Sequence, residues 1–224
     1  MNLCSIRRTA VAVVVCLLAP WPAKAAENLP AETELDRYVQ TPDPAYEWKV
    51  VKTTHDKGLT TYVVDMKSQN WRTTRDVNRT LWQHWLIISK PDEVATNKGF
   101  VFIGGGGNGG GPPDGPTEVT AKIALATKSV VAELKMIPNQ PLIFHNDGVE
   151  RKEDDLIGYC WDQYLKTGDK TWAPRLPMVK SVVRAMDTIT ALLGSDEGGR
   201  VQAHRFVLAR GTNRRATTWL PGVH

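Results

Sequence analysis

Two stretches of the chain carry residue types and spacings that acyl-transfer chemistry uses. One is the glycine run Gly104–Gly111, interrupted by Asn108, directly after an apolar strand-like segment. The other runs from Ala203 to Leu220 and has the pattern of a short strand, a tight turn and a helix start, with Thr212 at the turn. A strand-to-helix turn of this kind is typical of a nucleophile elbow, which lifts a hydroxyl group above a parallel sheet.

The glycine run is open to three interpretations. The first is an oxyanion loop, because glycine lets backbone N–H groups approach a substrate closely after an early sheet strand; its candidate residues are Gly104, Gly105, Gly106, Gly107 and Asn108. The second is a flexible surface loop, and the third is a nucleotide site. The third has little support, because two prolines rather than a helix follow the run and no Gly-Lys-Ser/Thr ends it.

Thr212 is a poor nucleophile by type and by context. Its methyl group crowds the approach to the hydroxyl, and threonine acts as a nucleophile mainly where an N-terminal amine activates it. Arg210 and Arg215 stand where the strained turn would favour glycine. A triad base is expected after the nucleophile, where only the terminal His224 is found, and no acid follows Thr212. The sequence therefore predicts a catalytically inactive elbow.

The remaining reactive side chains favour structural roles. His55 lies in a turn, His84 is predicted to be a sheet histidine, and His145 lies in a loop and is the best remaining candidate for a ligand or catalytic role. Cys160 falls on the apolar stripe of a helix, which predicts a buried thiol. No His, Asp and Glu group has metal-ligand spacing, so neither a metal nor a cofactor is expected.

Residues 1–25 have the pattern of a secretory signal peptide. Arg7 and Arg8 precede the apolar run of residues 9–20, and Ala23-Lys24-Ala25 supplies small residues for cleavage. The apolar run is too short to span a bilayer, and no second run replaces it. We therefore expect export to the periplasm or outside the cell, with no transmembrane segment after cleavage.

Removal of that segment changes the charge and the cysteine content. The 28 Lys and Arg residues fall to 25, against 24 Asp and Glu residues. A nearly neutral mature chain gives no support to nucleic-acid binding. Cys160 is then the one cysteine left, so no internal disulfide is expected.

Hydrophobic periodicity beyond a predicted flexible segment at 26–42 indicates an α/β fold with a mainly parallel sheet. Short turn-rich links and apolar alternation define strands, and apolar residues at helical spacing define helices. The predicted strands are Tyr46–Thr53, Thr60–Met66, Trp82–Ser89, Gly99–Ile103, Ser129–Lys135 and His204–Ala209, with a short extended piece at Asn139–Phe144. The predicted helices are Glu118–Thr127, Asp154–Thr167 and Pro177–Leu193. The first two strands are expected to form a hairpin.

Many ordered segments together resemble the PhoPQ-activated pathogenicity-related family. The resemblance runs from about Glu34 to Leu220 and rests on a series of short motifs. They are Leu35-Asp-Arg-Tyr-Val39, Pro42-Asp-Pro-Ala-Tyr46, Trp82-Gln-His-Trp85 with Lys90-Pro-Asp92, the Gly104–Gly111 run, Trp161-Asp162, Trp172 with Arg175-Leu-Pro-Met178, Val183-Arg-Ala-Met-Asp187 and Thr217-Thr-Trp-Leu220. The resemblance implies an exported α/β-hydrolase-like scaffold, linked by the family name to virulence and envelope stress. A non-catalytic secreted binding or signalling protein with an unknown envelope or extracellular partner is the alternative.

The chain departs from the family pattern at the elbow. That pattern, Gly-Ala-Ser-Lys-Arg-Gly-Trp, aligns with Arg210-Gly-Thr-Asn-Arg-Arg-Ala216, so Thr212 takes the nucleophile position and both outer glycines become arginine. Family members are usually about twice this length, so we expect residues 43–224 to be an incomplete domain that ends at or just after the elbow strand. A sheet that ends there exposes an apolar face and an edge, which predicts marginal stability and aggregation.

Overall fold

The computed structural model describes residues 32–210, which form one six-stranded β-sheet with helices on both faces. The helices are α1 (Glu34–Gln40), α2 (Glu118–Thr127), α3 (Glu153–Thr167) and α4 (Arg175–Gly194), with a 3₁₀ turn at Lys170–Trp172. The strands are β1 (Glu47–Asp56), β2 (Leu59–Asn70), β3 (Leu81–Pro91), β4 (Lys98–Ile103), β5 (Val130–Leu134) and β6 (Arg205–Arg210). None of these helices is long and apolar enough to cross a membrane.

The predicted α/β fold is confirmed, and the described sheet is mixed. Strands β1, β2, β3 and β5 are joined by antiparallel pairings, and β5, β4 and β6 by parallel ones. The predicted hairpin is present, and its turn residues Lys57 and Gly58 both have positive φ, as the twist-matched two-residue turn requires. The β2–β3 link is also short enough that it favours antiparallel neighbours, whereas β4, β5 and β6 are separated by helices.

The strand order across the sheet is β1-β2-β3-β5-β4-β6. Strand β3 runs antiparallel to both of its neighbours, β2 and β5. Strand β5 comes before β4 across the sheet, although β4 comes first in the chain. This is the arrangement of the first strands of an α/β-hydrolase sheet, with β1 added at the outer edge. The carboxyl ends of β4, β5 and β6 therefore lie at one edge, together with the link between β2 and β3.

The main core lies between the sheet and helices α3 and α4. Alternate residues of β2 face this side, and α4 contributes the largest helical share. Its buried apolar residues recur at helical spacing and include Met178, Val182, Ala185, Ile189 and Leu193. On the opposite face a smaller cluster joins Ala124 of α2 to Leu59 and Val131. Helices thus pack on both faces of the sheet, but on the second face α2 covers only the end that contains Leu59 and Val131.

Helix α1 corrects the prediction that residues 26–42 are flexible. Thr33 and Asp36 form a reciprocal capping box at its start, and Val39 is buried. The Arg184 guanidinium donates to the Val39 carbonyl and Lys180 Nζ to the Thr41 carbonyl, so the folded part begins before residue 43. Residues 26–31 lie outside the described range.

The short extended piece predicted at Asn139–Phe144 is not a strand. It makes only single bridges, Val77 with Phe144 and Leu142 with Arg151. Side-chain bonds replace a ladder here: Gln83 N–H donates to Asn139 Oδ1 at 3.0 Å, and Asn139 Nδ2 donates back to the Gln83 carbonyl at 2.7 Å. All the predicted strands and helices are present, with ends shifted by a few residues.

Candidate functional site

The glycine run and the end of β6 lie at the same edge of the sheet. Strands β4 and β6 are parallel neighbours, and Ile103 pairs with Arg210 at their carboxyl ends. Gly104 follows the first strand directly, and residue 211 follows the second. In open α/β sheets this edge is where ligands bind. Thr212 itself lies outside the described residues.

The loop is held in place by hydrogen bonds to the carbonyl groups of its first two glycines, Gly104 and Gly105. Met136 N–H donates to the Gly105 carbonyl at 2.9 Å, and Ile137 N–H to the Gly104 carbonyl at 3.1 Å. The N–H groups of Gly105, Gly106 and Gly107 donate to no residue of the described chain. Gly106 has φ +128°, a conformation that side chains rarely adopt. The loop therefore presents a short row of backbone donors from a held position.

Asn108 ties the end of this donor row to the segment after β5. Its backbone N–H donates to the Gln140 carbonyl, and its Nδ2 donates to the Pro141 carbonyl at 3.1 Å. Gln140 is in turn fixed to the start of α3: its Nε2 donates to Glu153 Oε1 at 2.8 Å and its Oε1 accepts from Glu153 N–H at 2.9 Å. Asn108 Oδ1 is buried and has no hydrogen-bond partner in the part of the chain that the structure describes. Asn108 thus acts as an anchor of the loop.

Two further side chains hold the later part of the loop. Trp85 Nε1 donates to the Gly110 carbonyl at 3.1 Å, and Lys52 Nζ donates to the Asp114 carbonyl at 2.9 Å. Their sequence positions gave no signal for this role, because both partners are distant in the chain.

Glu133 fixes the junction between the loop and α2. Its side chain is only 2% exposed, and it accepts hydrogen bonds from Thr117 N–H at 2.6 Å, from Thr120 Oγ1, and from Lys135 Nζ at 2.6 Å. Burial raises the pKa of the carboxyl, but these bonds outweigh that effect and hold the pKa below its usual value. Glu133 is therefore a charged carboxylate that positions the helix start.

None of the described histidines hydrogen-bonds to the glycine loop. His55 Nδ1 lies 3.2 Å from Thr60 Oγ1 beside the hairpin turn, and His84 is fully buried in β3. His145 Nδ1 lies 2.7 Å from the Tyr159 hydroxyl and its Nε2 lies 3.9 Å from Asp76 Oδ1. The structure therefore places these candidates away from direct contact with the donor row, and His224 is outside the described range.

The described residues offer neither a reactive cysteine nor a metal site as an alternative functional site. Cys160 is fully buried, as predicted, and burial raises the pKa of its thiol to about 12. Within residues 32–210 no group of three or more His, Cys, Asp or Glu side chains is arranged to hold a metal ion.

Comparison with solved structures gives distant similarities. The chain is similar to a glucuronoyl esterase from Solibacter usitatus with a TM-score of 0.43 and 13% identity, covering 84% of this chain and 53% of that chain. It is also similar to an acetyl xylan esterase from Paenibacillus sp. R4 with a TM-score of 0.48 and 11% identity, covering 85% of this chain and 53% of that one.

Sequence comparison is more specific. The chain is 39% identical over 193 residues to autocrine proliferation repressor protein A of Dictyostelium discoideum, covering 85% of this chain and 38% of that protein. It thus spans less than two fifths of the relative's length. The family model for the PhoPQ-activated pathogenicity-related protein matches residues 35–224. The chain belongs to the PhoPQ-activated pathogenicity-related protein family.

Proposed function

We propose that this chain is a catalytically inactive member of an exported, serine-hydrolase-like family, and that it binds an ester or a related oxyanion-forming compound. The observation that carries the proposal is the row of N–H groups at Gly105, Gly106 and Gly107, which donate to no residue between 32 and 210, at the edge where β6 ends. Backbone donors held in place in this way stabilise negative charge on a carbonyl oxygen.

Inactivity follows from the residue at the nucleophile position. Thr212 is two residues beyond Arg210 and aligns with the family serine, and its environment in the sequence has arginine in place of both outer glycines. A donor row without a competent nucleophile binds a carbonyl compound but does not cleave it. We extend the family's link with pathogenicity to this chain as a role at the bacterial envelope.

A second candidate is a secreted signalling protein that does not bind an ester. The Dictyostelium relative, which is 39% identical, is named as an autocrine proliferation repressor. Both candidates require export, and N-terminal sequencing of secreted or periplasmic protein tests it: the mature chain is expected to begin at Ala26.

Binding by the loop is tested with phenylphosphonate, a stable oxyanion probe. In a nitrogen-15 titration of the full chain, the amide signals of Gly105, Gly106 and Gly107 are expected to shift together, and that of Gly115, later in the same loop, is expected not to shift. Unchanged signals at the three glycines would contradict the binding proposal and favour the signalling candidate.

Inactivity is tested with p-nitrophenyl acetate hydrolysis and fluorophosphonate labelling. The unsubstituted chain and Thr212→Ala are expected to give the same background rate, with no label on residue 212. Hydrolysis that Thr212→Ala removes, while the matched hydroxyl substitution Thr167→Ala at the end of α3 leaves it intact, would show an active threonine.

A further inference from the structure

The open part of the sheet face beside the glycine loop carries an ordered grid of polar side chains. The strand register places Glu47, Lys67 and Gln83 opposite one another, and Lys49, Asp65 and Trp85 in the next row. Directly paired residues of antiparallel strands share a face, as do residues two apart along a strand. These six residues therefore form one surface, here called the polar platform.

The polar platform is the end of a face that α2 does not cover, with the glycine loop held against it at Trp85, and the same face is apolar further along. Helix α2 packs over Leu59 and Val131, at the other end of the same strands. Asp65, Lys67, Gln83 and Trp85 are each partly exposed, whereas the residues that α2 covers are buried. The change from apolar to polar along one face marks where the helix ends and where a ligand has access.

The polar platform contains a depression where β1 and β2 pair. It has a volume of about 140 Å³ and is lined by the platform residues Glu47, Lys49, Asp65 and Lys67, and by Trp48, whose side chain packs against the core on the other face of the sheet. Antiparallel faces in contact with solvent are commonly polar, but a lined depression offers a ligand several contacts at once.

The charges of the polar platform balance, and its groups are already oriented. Lys67 is paired with Glu47, and Gln83 Nε2 donates to Asp65 Oδ1 at 2.6 Å. Two carboxylates and two ammonium groups leave no net charge to select an ion. They do offer charge-assisted acceptors and donors side by side, which matches a hydroxyl group because hydroxyls both donate and accept.

The polar platform is continuous with the glycine loop. Trp85 donates to the Gly110 carbonyl, and its own carbonyl accepts from Lys135 N–H at 2.9 Å. The Lys135 side chain passes beside Gly104, with Cδ 3.5 Å from the position that a Cβ would take there. The row Lys49–Asp65–Trp85 thus leads through Lys135 to Gly104, the residue that precedes the donor row.

We infer that the polar platform binds a neutral carbohydrate, as the hydroxyl-rich part of the compound whose ester group the glycine loop receives. This inference rests on the proposed function for the ester group, but the sugar contacts are made by the polar platform alone.

The test is a nitrogen-15 titration of the full chain with cellotetraose and maltotetraose. At least one is expected to bind with a Kd of about 1–10 mM, typical of a small polar site, and to shift the amide signals of Lys49, Asp65 and Trp85. Gluconate and glucosamine, which carry charge, are expected to bind at least about tenfold more weakly. No shift with either neutral sugar at about 20 mM, or a preference for a charged sugar, overturns the inference.

Variants separate specific binding from a general surface effect. Asp65→Asn and Lys49→Gln are expected to weaken sugar binding about tenfold, the loss of one charge-assisted bond. Glu118→Gln and Lys122→Gln change a matched exposed ion pair on α2, joined at 2.5 Å, and are expected to leave binding within twofold. Equal effects of the two pairs, with unchanged melting temperatures, contradict a site on the polar platform.

A negative result in the phosphonate titration and a negative result in the sugar titration rule out different proposals. Sugar shifts on the polar platform without phosphonate shifts at Gly105–Gly107 would remove the proposed function and leave a carbohydrate-binding surface. Phosphonate shifts without sugar shifts would remove the polar platform alone.

Discussion

At the residue scale, His84 shows how burial determines the charge state of a single side chain. It is fully buried in β3, between the Ser68 hydroxyl, 3.0 Å from its Nε2, and the Lys135 carbonyl, 3.2 Å from its Nδ1. Burial lowers the pKa of the imidazole to about 4. The carbonyl accepts the Nδ1 proton and the hydroxyl donates to Nε2, so the neutral ring is fully bonded. Ser68 and His84 therefore form a structural pair and not an exposed nucleophile and base.

His84 predicts a loss of stability in mild acid. The unfolded chain binds a proton at His84 below pH 6.5, and the folded chain does so only near pH 4, so the free energy of unfolding falls as the pH falls between these values. The gap corresponds to about 3 kcal/mol. Urea unfolding at pH 7 and pH 4.5 is expected to show most of this loss, about 2 kcal/mol. His84→Gln is expected to reduce this pH dependence, and the exposed His55→Gln is expected to retain it; equal slopes in all three chains would contradict the account.

A second prediction concerns Gly198, where the backbone leaves no room for a side chain. A Cβ at this position would lie 2.2 Å from the Leu192 carbonyl oxygen and 2.4 Å from Leu193 Cα, and both are backbone atoms that cannot move aside cheaply. Gly198→Ala is expected to lower the free energy of unfolding by about 1–3 kcal/mol or more. Gly158→Ala in α3, where nothing lies within 4 Å, is expected to raise it by about 0.5–1 kcal/mol. Chemical denaturation compares them, and similar values for both would refute the close approach.

Residue roles were predictable where local periodicity decides burial. Cys160 lies on the apolar stripe of α3 and was correctly assigned to the interior. His84 was correctly assigned to a strand, but its burial was not predicted. Glu133 was not identified, because its burial depends on Thr117, Thr120 and Lys135 meeting around it. Sequence shows the charge of such a residue but not the partners that make its burial acceptable.

At the element scale, the start of α2 depends on a carboxylate from a neighbouring strand. Thr117 caps the helix, and Glu133 of β5 accepts from the Thr117 N–H group. Glu133→Gln removes the charge that Lys135 pairs with and weakens the bonds to both threonines, so it is expected to cost about 1–3 kcal/mol. Hydrogen exchange at Thr117 and Thr120 is expected to become faster.

An exposed glutamate on the same helix, Glu118, provides the control for the Glu133 substitution. Glu118→Gln lies in the first turn of the same helix, where Glu118 pairs with the exposed Lys122, and it is expected to change stability by less than about 0.5 kcal/mol. If the two substitutions have the same effect on exchange at Thr117, the strand carboxylate does not hold the helix.

The individual helices and strands could mostly be predicted from the sequence, but the contacts between them could not. The hairpin of β1 and β2 followed from apolar alternation around a turn containing Gly58. Helix α1 was missed because a single buried residue, Val39, gives no stripe, and its anchors Lys180 and Arg184 come from α4. The candidate loop Gly104–Asn108 was predicted from glycine content, but the anchoring of Asn108 depends on residues more than 30 positions away.

At the scale of the whole molecule, the two outer strands of the described sheet differ in how they are protected. Strand β1 has Lys49 and Lys52 and an irregularity after Val50, features that discourage pairing with another sheet. Strand β6 pairs with β4 alone among the described residues and has apolar residues between two arginines. Its Val207 is 58% exposed, and Phe102 on the neighbouring strand is 36% exposed.

This asymmetry predicts that self-association occurs through β6. A lysine at position 207 places a charge on the exposed face and makes stacking against another sheet costly. Val207→Lys is therefore expected to lower the light scattering of concentrated protein and to keep the sedimentation coefficient constant with concentration. Val149→Lys adds the same charge at a loop valine that is 49% exposed, so it controls for net charge. Equal gains from both would assign the effect to charge repulsion, whereas a gain confined to position 207 locates the association on β6 and its neighbour β4.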